Sequence, residues 1–364
     1  MAVSDRSRSG TALADAVHRW GVRAPWVGLA LAVPFGLLAP SLPPAVRYAP
    51  FLASVLLFGF PHGAVDHLVP ARLAGIDLGR SVGAVVAVYA VLGVGYGLWW
   101  LLAPASAFVA FVLITWIHWG QGDVYALLAL AEAEHLKTRA ERALSLVVRG
   151  GLPMLVPLVG HPETYRRVAN ALVGLFAGDA AALDAAFTPT ARAGVAVGFG
   201  AVTLLALAAG ARRVRRGDAA RRPWLVDTGE TVGLWAYFLL VPPILAIGLY
   251  FCFWHAVRHV ARLELLDPDA RTALAAGDLT GTLRRFARDA APATVGGLLV
   301  VAGVWAVAPR PSAGPEGLLA VYLVAIAVLT LPHVAVVTWM DARQGVWCAS
   351  KDGTSKNGTS RRPR

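Results

Sequence analysis

The sequence predicts an all-α fold, a polytopic transmembrane helical bundle with about eight to ten spans. Hydrophobic residues make up 57% of the 364 residues, and the mean hydropathy is +0.60. Both values are far above those of a soluble globular chain. The apolar runs approach the roughly 20 residues that a membrane helix needs. They mix Leu, Val and Ala with Gly instead of alternating with polar residues, which favours helices over barrel strands.

Nine apolar segments carry this prediction, and each is interpreted as a helix or part of one. They are 25–43, 46–62, 82–104, 106–120, 143–160, 192–211, 231–254, 290–308 and 317–340. Two pairs of glycines, Gly93 with Gly97 and Gly194 with Gly198, stand four residues apart. This spacing allows close packing of membrane helices, so we expect both pairs to lie at helix contacts.

Positive charges in the gaps predict the topology, because cytoplasmic loops carry an excess of Lys and Arg. Basic residues before the first segment and in the second and fourth gaps place these parts inside. The segments ending at His62 and His118 then finish on the cytoplasmic side. Segment 231–254 would finish outside, but Pro242 and Pro243 remove two backbone donors and break a helix. We therefore expect two short spans or a re-entrant pair, 228–241 and 244–262.

The chain is predicted to be one transmembrane domain, 1–342, followed by a disordered basic tail, 343–364. Both termini are expected in the cytoplasm, in a multi-pass protein of the cell membrane. The net charge of +11 does not indicate nucleic-acid binding, because spans separate the basic residues and no basic stripe is interleaved with exposed aromatics. Cys252 and Cys348 suggest neither a disulfide framework nor a thiolate metal site.

Seven of the nine histidines fall at or near the ends of apolar segments: His62, His67, His118, His161, His255, His259 and His333. Ionisable groups at membrane depth are costly and point to function. For a single histidine, a bond to a backbone carbonyl is the simpler explanation, and this is our interpretation of His161. His18 and His135 lie in polar stretches, where we expect them to be solvated.

Four of these histidines form a candidate metal site. His255 and His259 are four residues apart, so on a helix they project from one face. His62 lies between a proline and a glycine, at a predicted backbone break, and His118 ends another segment on the same predicted side. Four neutral imidazoles can fill four positions of a six-coordinate ion and leave two open, and either iron or zinc suits such ligands.

Four other side chains are candidates for the surroundings of the ligands: Asp66, His67, Asp123 and His333. Asp66 and Asp123 lie four or five residues past His62 and His118, where a carboxylate can accept a ring N–H and offset the charge of the metal. His67 lies off the face of His62 on a regular helix. Aromatic residues crowd the motifs, as interface belts or as the lining of an apolar pocket open to the bilayer.

Four motifs occur in order along most of the chain: Phe-Pro-His-Gly-Ala-Val-Asp-His at 60–67, His-Trp-Gly-Gln-Gly-Asp at 118–123, Trp-His-Ala-Val-Arg-His at 254–259 and Leu-Pro-His-Val-Ala-Val-Val-Thr-Trp-Met-Asp at 331–341. At these residues the sequence resembles the Brp/Blh family of membrane β-carotene 15,15'-dioxygenases. The resemblance implies Fe(2+) as the cofactor, with ligands corresponding to His62, His118, His255 and His259.

The same resemblance implies that dioxygen splits the central 15,15' double bond of β-carotene into two molecules of all-trans-retinal. Retinal is the chromophore of microbial rhodopsins, to which the product would pass. The chain is not expected to be a rhodopsin, because its only lysines, Lys137, Lys351 and Lys356, lie outside the predicted spans.

Two alternatives follow from the same residues. A membrane di-iron desaturase or hydroxylase also places histidines at the cytoplasmic ends of helices, but it needs about eight or more of them, with adjacent pairs that this chain lacks. A transporter with a His/Asp relay would use the helix break at Pro242 and Pro243. It would not explain several histidines on one face.

Overall fold

The computed structural model describes residues 12–38, 43, 46, 49, 51, 59–309 and 314–348. In this part of the chain there are thirteen α-helices and no strand. The helices are α1 (Ala12–Leu38), α2 (Phe60–Ala64), α3 (Val69–Ala74), α4 (Leu78–Leu102), α5 (Pro104–Ala129), α6 (Arg139–Gly160), α7 (Pro162–Gly174), α8 (Pro189–Arg215), α9 (Arg221–Leu240), α10 (Pro243–Glu264), α11 (Pro268–Ala275), α12 (Leu279–Val307) and α13 (Pro315–Gln344). Short 3-10 segments cover Asp66–Leu68 and Ala180–Phe187.

Seven of the helices in the described residues are long and apolar enough to cross a membrane, namely α1, α4, α6, α8, α10, α12 and α13. The predicted all-α polytopic bundle is confirmed. Helix α5 is also long, with 26 residues, but its second half carries His118, Gln121 and Asp123. The predicted segment 46–62 lies mostly outside the described residues, so the count of eight to ten spans stays a prediction.

Local sequence signals explain where the helices begin. Six of them start at a proline, where the missing N–H costs nothing and φ is already helical: Pro104, Pro162, Pro189, Pro243, Pro268 and Pro315. Thr138 forms a capping box with Glu141 at the start of α6, and Asp77 and Asp278 cap α4 and α12. Each cap supplies an acceptor for a backbone N–H that the helix leaves unpaired.

The predicted break at Pro242 and Pro243 is confirmed. Helix α9 ends at Leu240, the next two residues are extended with ψ of 131° and 136°, and α10 begins at Pro243. The two helices run antiparallel, since the Tyr237 hydroxyl donates to the carbonyl of Ala246 at 2.9 Å beside the turn and Glu230 pairs with Arg258 farther from it. The chain therefore reverses direction at the two prolines. The sequence interpretation required this reversal to bring His255 and His259 to the same side as His62 and His118. Helix α9 begins seven residues before the predicted start at 228.

Apolar side chains divide between the interior and the outer surface. One buried cluster surrounds Trp100, between α4, α5, α7, α12 and α13, and a second surrounds Trp254, between α1, α6, α9 and α10. By contrast, only 17% of the most apolar stretch of α8 and of α12 is buried, and Leu204 and Leu299 are 69% and 68% exposed. Surface of this kind is unfavourable in water and suits contact with lipid.

The end of α13 differs from the predicted domain boundary. The helix runs to Gln344, two residues past position 342. The guanidinium of Arg142 on α6 then donates to the carbonyls of Val346 and Cys348, which ties residues 345–348 to the bundle. Residues 349–364 lie outside the described residues, so their disorder stays a prediction.

The glycine contacts correct part of the sequence interpretation. Gly93 and Gly97 face Val328 on α13, as expected from their spacing. A Cβ added to Gly194 or Gly198 would meet no atom of another helix within 4 Å among the described residues. The closest crossing is between α5 and α6, where a Cβ on Gly150 would overlap the carbonyl oxygen of Trp116. Spacing identifies a permissive face of a helix but not whether a partner covers it.

We expect Gly150→Ala to destabilise the protein by about 1–3 kcal/mol, because the added methyl must push α5 and α6 apart. The matched control is Gly194→Ala, where the methyl enters open space and improves helix propensity. Thermal melting of both variants in detergent would measure the difference. Equal melting temperatures would show that the α5–α6 crossing can absorb a methyl group.

Candidate metal centre

Five histidine rings from four helices meet in the interior of the bundle. They are His62 on α2, His118 on α5, His255 and His259 on α10, and His333 on α13, and each is at most 7% exposed. The four histidines predicted as ligands are thus brought together. His333, predicted beside them, has its ring in the same group.

The short helix α2 orients His62. Its Nδ1 is 2.6 Å from the carbonyl oxygen of Gly59, so Nδ1 donates and Nε2 is the nitrogen left for a metal. The helix is interrupted directly afterwards, because Val65 has φ of −95° and ψ of 3° and a 3-10 turn follows. The backbone break expected at His62 lies at Val65 instead, because Pro61 is in the first turn of the helix Phe60–Ala64 and Gly63 continues it.

Helix α10 carries the next pair of rings. His255 lies in a π-helical turn, Phe251–Ala256, a local feature that is frequent at functional sites. The planes of the His255 and His259 rings are 9° from parallel and their centroids are 6.3 Å apart, so both project from one face. Gly122 on α5 leaves room for this pair, since a Cβ there would lie 3.3 Å from the His255 ring.

The distances between the rings fit one metal ion. A metal–nitrogen bond of about 2.1 Å puts cis ligand atoms about 3.0 Å apart, and ring centroids no more than about 6.4 Å apart across the ion. The Nε2 atoms of His118 and His255 are 3.0 Å apart. Eight pairs among the five rings have centroid distances between 4.7 and 6.4 Å. The ligand atoms of His62, His118 and His255, which all lie within 4.8 Å of one another, can therefore share one ion.

The unpaired ring nitrogens favour a metal over a hydrogen-bonded cluster. A proton shared by His118 and His255 would satisfy only that pair. Nε2 of His259 and Nε2 of His333 are buried with no hydrogen-bond partner among the described residues. Each of these nitrogens offers a lone pair toward the other rings, which suits it to bind a metal ion. The potential ligand atoms form two groups, and within each group all atoms lie within 4.8 Å of one another. The first group is His62, His118 and His255, and the second is Asp66, His259 and His333.

Asp66 is placed against the cluster, through a different ring from the one its sequence position suggested. Its Oδ2 is 2.7 Å from Nδ1 of His333 and accepts a hydrogen bond from the Tyr89 hydroxyl, also at 2.7 Å. Asp66 is 2% exposed. Its carboxylate is in position to orient an imidazole and to offset the charge of a bound cation.

Asp123 does not take the expected position on His118. Nδ1 of His118 has no partner among the described residues, and the Asp123 carboxylate instead accepts from Trp254 Nε1 at 3.0 Å and from Arg258 at 3.3 Å. Five residues along α5 carry Asp123 about 140° around the helix from His118. It therefore faces the neighbouring helices rather than the imidazoles.

Asp123 belongs to a buried ion network behind the cluster. Glu230 on α9 pairs with Arg149 at 2.7 Å and with Arg258 at 2.5 Å, and Arg149 also pairs with Asp227 at 2.7 Å. This network joins α5, α6, α9 and α10. Sequence reasoning missed it, because its members lie far apart along the chain and no motif connects them. The only feature of the sequence that could have indicated a buried ion network is the presence of charged residues inside or next to apolar segments.

The remaining histidines lie apart from the cluster. Nδ1 of His67 contacts the carbonyl of Ala64 at 2.9 Å, and Nε2 of His161 contacts the carbonyl of Leu239 at 3.0 Å. His135 was expected in solvent, but it is 2% exposed and bonds to Asp227 at 2.8 Å. The polar stretch around it folds back onto α9, which sequence polarity did not reveal.

A cavity of about 1070 Å³ adjoins the imidazoles. Its lining is almost entirely apolar, and its walls on α4 and α12 follow the spacing of one helix face. The stripe on α4 is Val82, Val85, Val86, Tyr89, Ala90, Gly93, Val94 and Gly97, and that on α12 is Pro292, Ala293, Gly296, Gly297, Val300, Gly303, Val304 and Val307. Val86 and Val94 are also exposed, at 59% and 62%, so the cavity opens on the outer face of the bundle.

The fold and the site define a polytopic helical membrane protein with a buried group of imidazoles beside a large apolar cavity. The model of the family "Beta-carotene 15,15'-dioxygenase" matches residues 53–341. The chain belongs to this family.

Two curated relatives from Halobacterium salinarum agree with this assignment. The probable β-carotene 15,15'-dioxygenase Blh is 48% identical over 322 residues, which cover 88% of this chain and 92% of the relative. The probable β-carotene 15,15'-dioxygenase Brp is 31% identical, over 84% of this chain and 87% of the relative. No solved structure matches the chain.

We expect Glu230→Gln to destabilise the protein by about 3–5 kcal/mol, because it leaves two buried arginines without full compensation. The control is Asp184→Asn, which removes an exposed ion pair with Arg166 and should cost less than about 1 kcal/mol. Thermal melting in detergent would measure both variants. A Glu230→Gln protein as stable as the control would mean that the network does not join the helices energetically.

Proposed function

We propose that this protein cleaves β-carotene at its central 15,15' double bond with dioxygen and forms two molecules of all-trans-retinal. The observation that carries the proposal is that buried imidazoles, His62, His118 and His333 among them, line a large apolar cavity. The names of the two relatives support the same substrate and the same bond.

Helix geometry gives the cavity a length that suits a long substrate. The stripe on α4 from Val82 to Gly97 spans about 22 Å at 1.5 Å per residue. Tyr89, which bonds to Asp66 beside the imidazoles, lies within this stripe. On α5 and α13 the lining ends at Trp119 and His333, so on these two helices it lies on one side of the imidazoles. A hydrocarbon offers no polar handle, so the shape of the cavity sets the position of the cut.

Entry from the bilayer fits the same cavity. Lining residues on both α4 and α12, including Val86, Val94, Ala293 and Gly296, are exposed on the outer face of the bundle. An apolar substrate dissolved in lipid would reach the imidazoles from this side without crossing water.

We infer that the metal is ferrous iron, Fe(2+), held by His62, His118, His255 and His259. Iron bound there would activate dioxygen, which otherwise reacts only slowly with carbon–carbon double bonds. The Gly59 carbonyl would orient His62, and the apolar walls of the cavity would exclude water. The atoms balance without a reductant, because the C15–C15' bond breaks and each carbon receives one oxygen of the same O2 molecule. Support for iron over zinc comes from this oxidative chemistry.

The setting of the reaction is also part of the proposal. We place the protein in the cell membrane with both termini in the cytoplasm, from the distribution of arginines in the gaps. Retinal leaving through the lipid-facing opening would be available to a microbial rhodopsin in the same membrane.

Expression in bacteria that accumulate β-carotene tests the function. The wild type should bleach the yellow pigment and form retinal, measured by chromatography of extracted pigments. His118→Ala and His255→Ala should each lower retinal by at least about a hundredfold, because each removes a metal ligand. His161→Gln, which changes a histidine outside the cluster, is the control and should match the wild type. Unchanged pigment with correctly inserted wild-type protein would contradict the proposal.

Metal analysis of the purified protein separates this function from the desaturase-like alternative. We expect one iron per chain, held by His62, His118, His255 and His259. Two irons per chain would favour a di-iron centre instead.

Filling one half of the cavity should impair cleavage without disturbing the imidazoles. Gly97→Phe places a ring in the lining at the end of the α4 stripe, beyond Tyr89. We expect cleavage of β-carotene to fall by about tenfold or more, because the ring would displace the central bond of the substrate from the metal. Gly95→Phe is the matched control, since Gly95 lies on the same helix with nothing within 4 Å and outside the cavity lining. Chromatography of products would measure both, and equal rates would contradict binding in this half.

A further inference from the structure

His333 occupies the cluster as fully as the four histidines predicted as ligands. Its ring centroid is 4.7 Å from that of His118, 5.1 Å from that of His62 and 5.1 Å from that of His259. These distances are shorter than the 5.6 Å between His62 and His259 and the 6.4 Å between His118 and His259. An ion bound among His62, His118 and His259 is therefore within reach of His333.

Asp66 determines which nitrogen of His333 faces the cluster. A carboxylate only accepts hydrogen bonds, so the contact of 2.7 Å places the imidazole proton on Nδ1. The lone pair then lies on Nε2. That atom is buried with no hydrogen-bond partner among the described residues, and the His333 side chain is 5% exposed.

Tyr89 holds Asp66 in this position. Its hydroxyl donates to the same Oδ2 atom at 2.7 Å, so the carboxylate oxygen is held from α4 while it orients a ring on α13. Gly63 on α2 provides the space, because a Cβ there would lie 3.4 Å from Nδ1 of His333. A carboxylate that receives the outer N–H of an imidazole is the usual partner of a metal-bound histidine.

We propose that His333 is a fifth ligand of the metal and that Asp66 and Tyr89 are its positioning residues. The proposal rests on the metal site of the proposed function. Five imidazole nitrogens leave one open position on a six-coordinate ion, where four would leave two. The Asp66 carboxylate also brings one negative charge next to a divalent cation that imidazoles alone would not neutralise.

Cobalt binding by the full-length protein in detergent tests this ligand. Co²⁺ reports the number and type of its ligands through its visible absorption spectrum, and equilibrium dialysis gives its affinity. We expect His333→Ala to weaken Co²⁺ binding by at least about tenfold and to change the spectrum. Added imidazole should restore the wild-type spectrum by filling the space of the missing ring. Asp66→Asn should weaken Co²⁺ binding and shift the spectrum less than His333→Ala does. Tyr89→Phe should have a smaller effect than Asp66→Asn.

His161→Gln serves as the control and should keep the wild-type affinity and spectrum. His333→Gln is the second variant if the smaller side chain impairs folding. X-ray absorption of the wild-type cobalt protein gives an independent count, with five imidazole nitrogens expected. An unchanged spectrum and affinity in His333→Ala, or a count of four in the wild type, would overturn the fifth ligand.

These results separate the two proposals. A wild-type protein that binds cobalt through His333 but forms no retinal would contradict only the proposed function. Retinal formation together with a His333→Ala protein of unchanged spectrum would contradict only the fifth ligand.

Discussion

Removing an imidazole or a charged side chain from water is costly unless another group replaces its lost hydration. This bundle has apolar outer faces, so its polar interior depends on internal partners. Glu230 lies between Arg149 and Arg258, and Arg262 pairs with Asp341 at 2.8 Å. In the histidine cluster, Nε2 of His259 and Nε2 of His333 have no hydrogen-bond partner among the described residues, so a bound metal ion would replace their lost hydration. The same constraint thus explains the ion network and the case for a metal among the imidazoles.

The ion network and the metal centre depend on one turn of the backbone. Pro242 and Pro243 end α9 and start α10, and the resulting hairpin brings His255 and His259 to the level of α2 and α5. Arg258 lies between these two histidines in the sequence but on another face of the helix, where it contacts Glu230. One helix therefore carries two imidazoles of the cluster on one side and an ion pair on the other. A rotation of α10 would disturb both.

The shape and the apolar lining of the cavity favour long hydrocarbons over polar molecules. Small residues on α4 and α12 form a continuous apolar wall beside the imidazoles, and hydrogen-bonding groups are scarce along it. A polar substrate would lose hydration there without gaining partners, whereas a long hydrocarbon loses nothing polar. This distinction argues against the transporter with a His/Asp relay, which would need a polar path through the bundle. It agrees with membership of the β-carotene 15,15'-dioxygenase family.

The helical membrane class, the break at Pro242 and Pro243, and the grouping of His62, His118, His255 and His259 could all be predicted from the sequence. These features follow from composition, backbone chemistry and helical periodicity, which are local properties of a chain. The partners of Asp123, the open face beside Gly194, the burial of His135 and the place of His333 within the cluster could not be predicted in this way. Each of these depends on which helix packs against which face, and residues as far apart as Asp66 and His333 meet only when the whole bundle has formed.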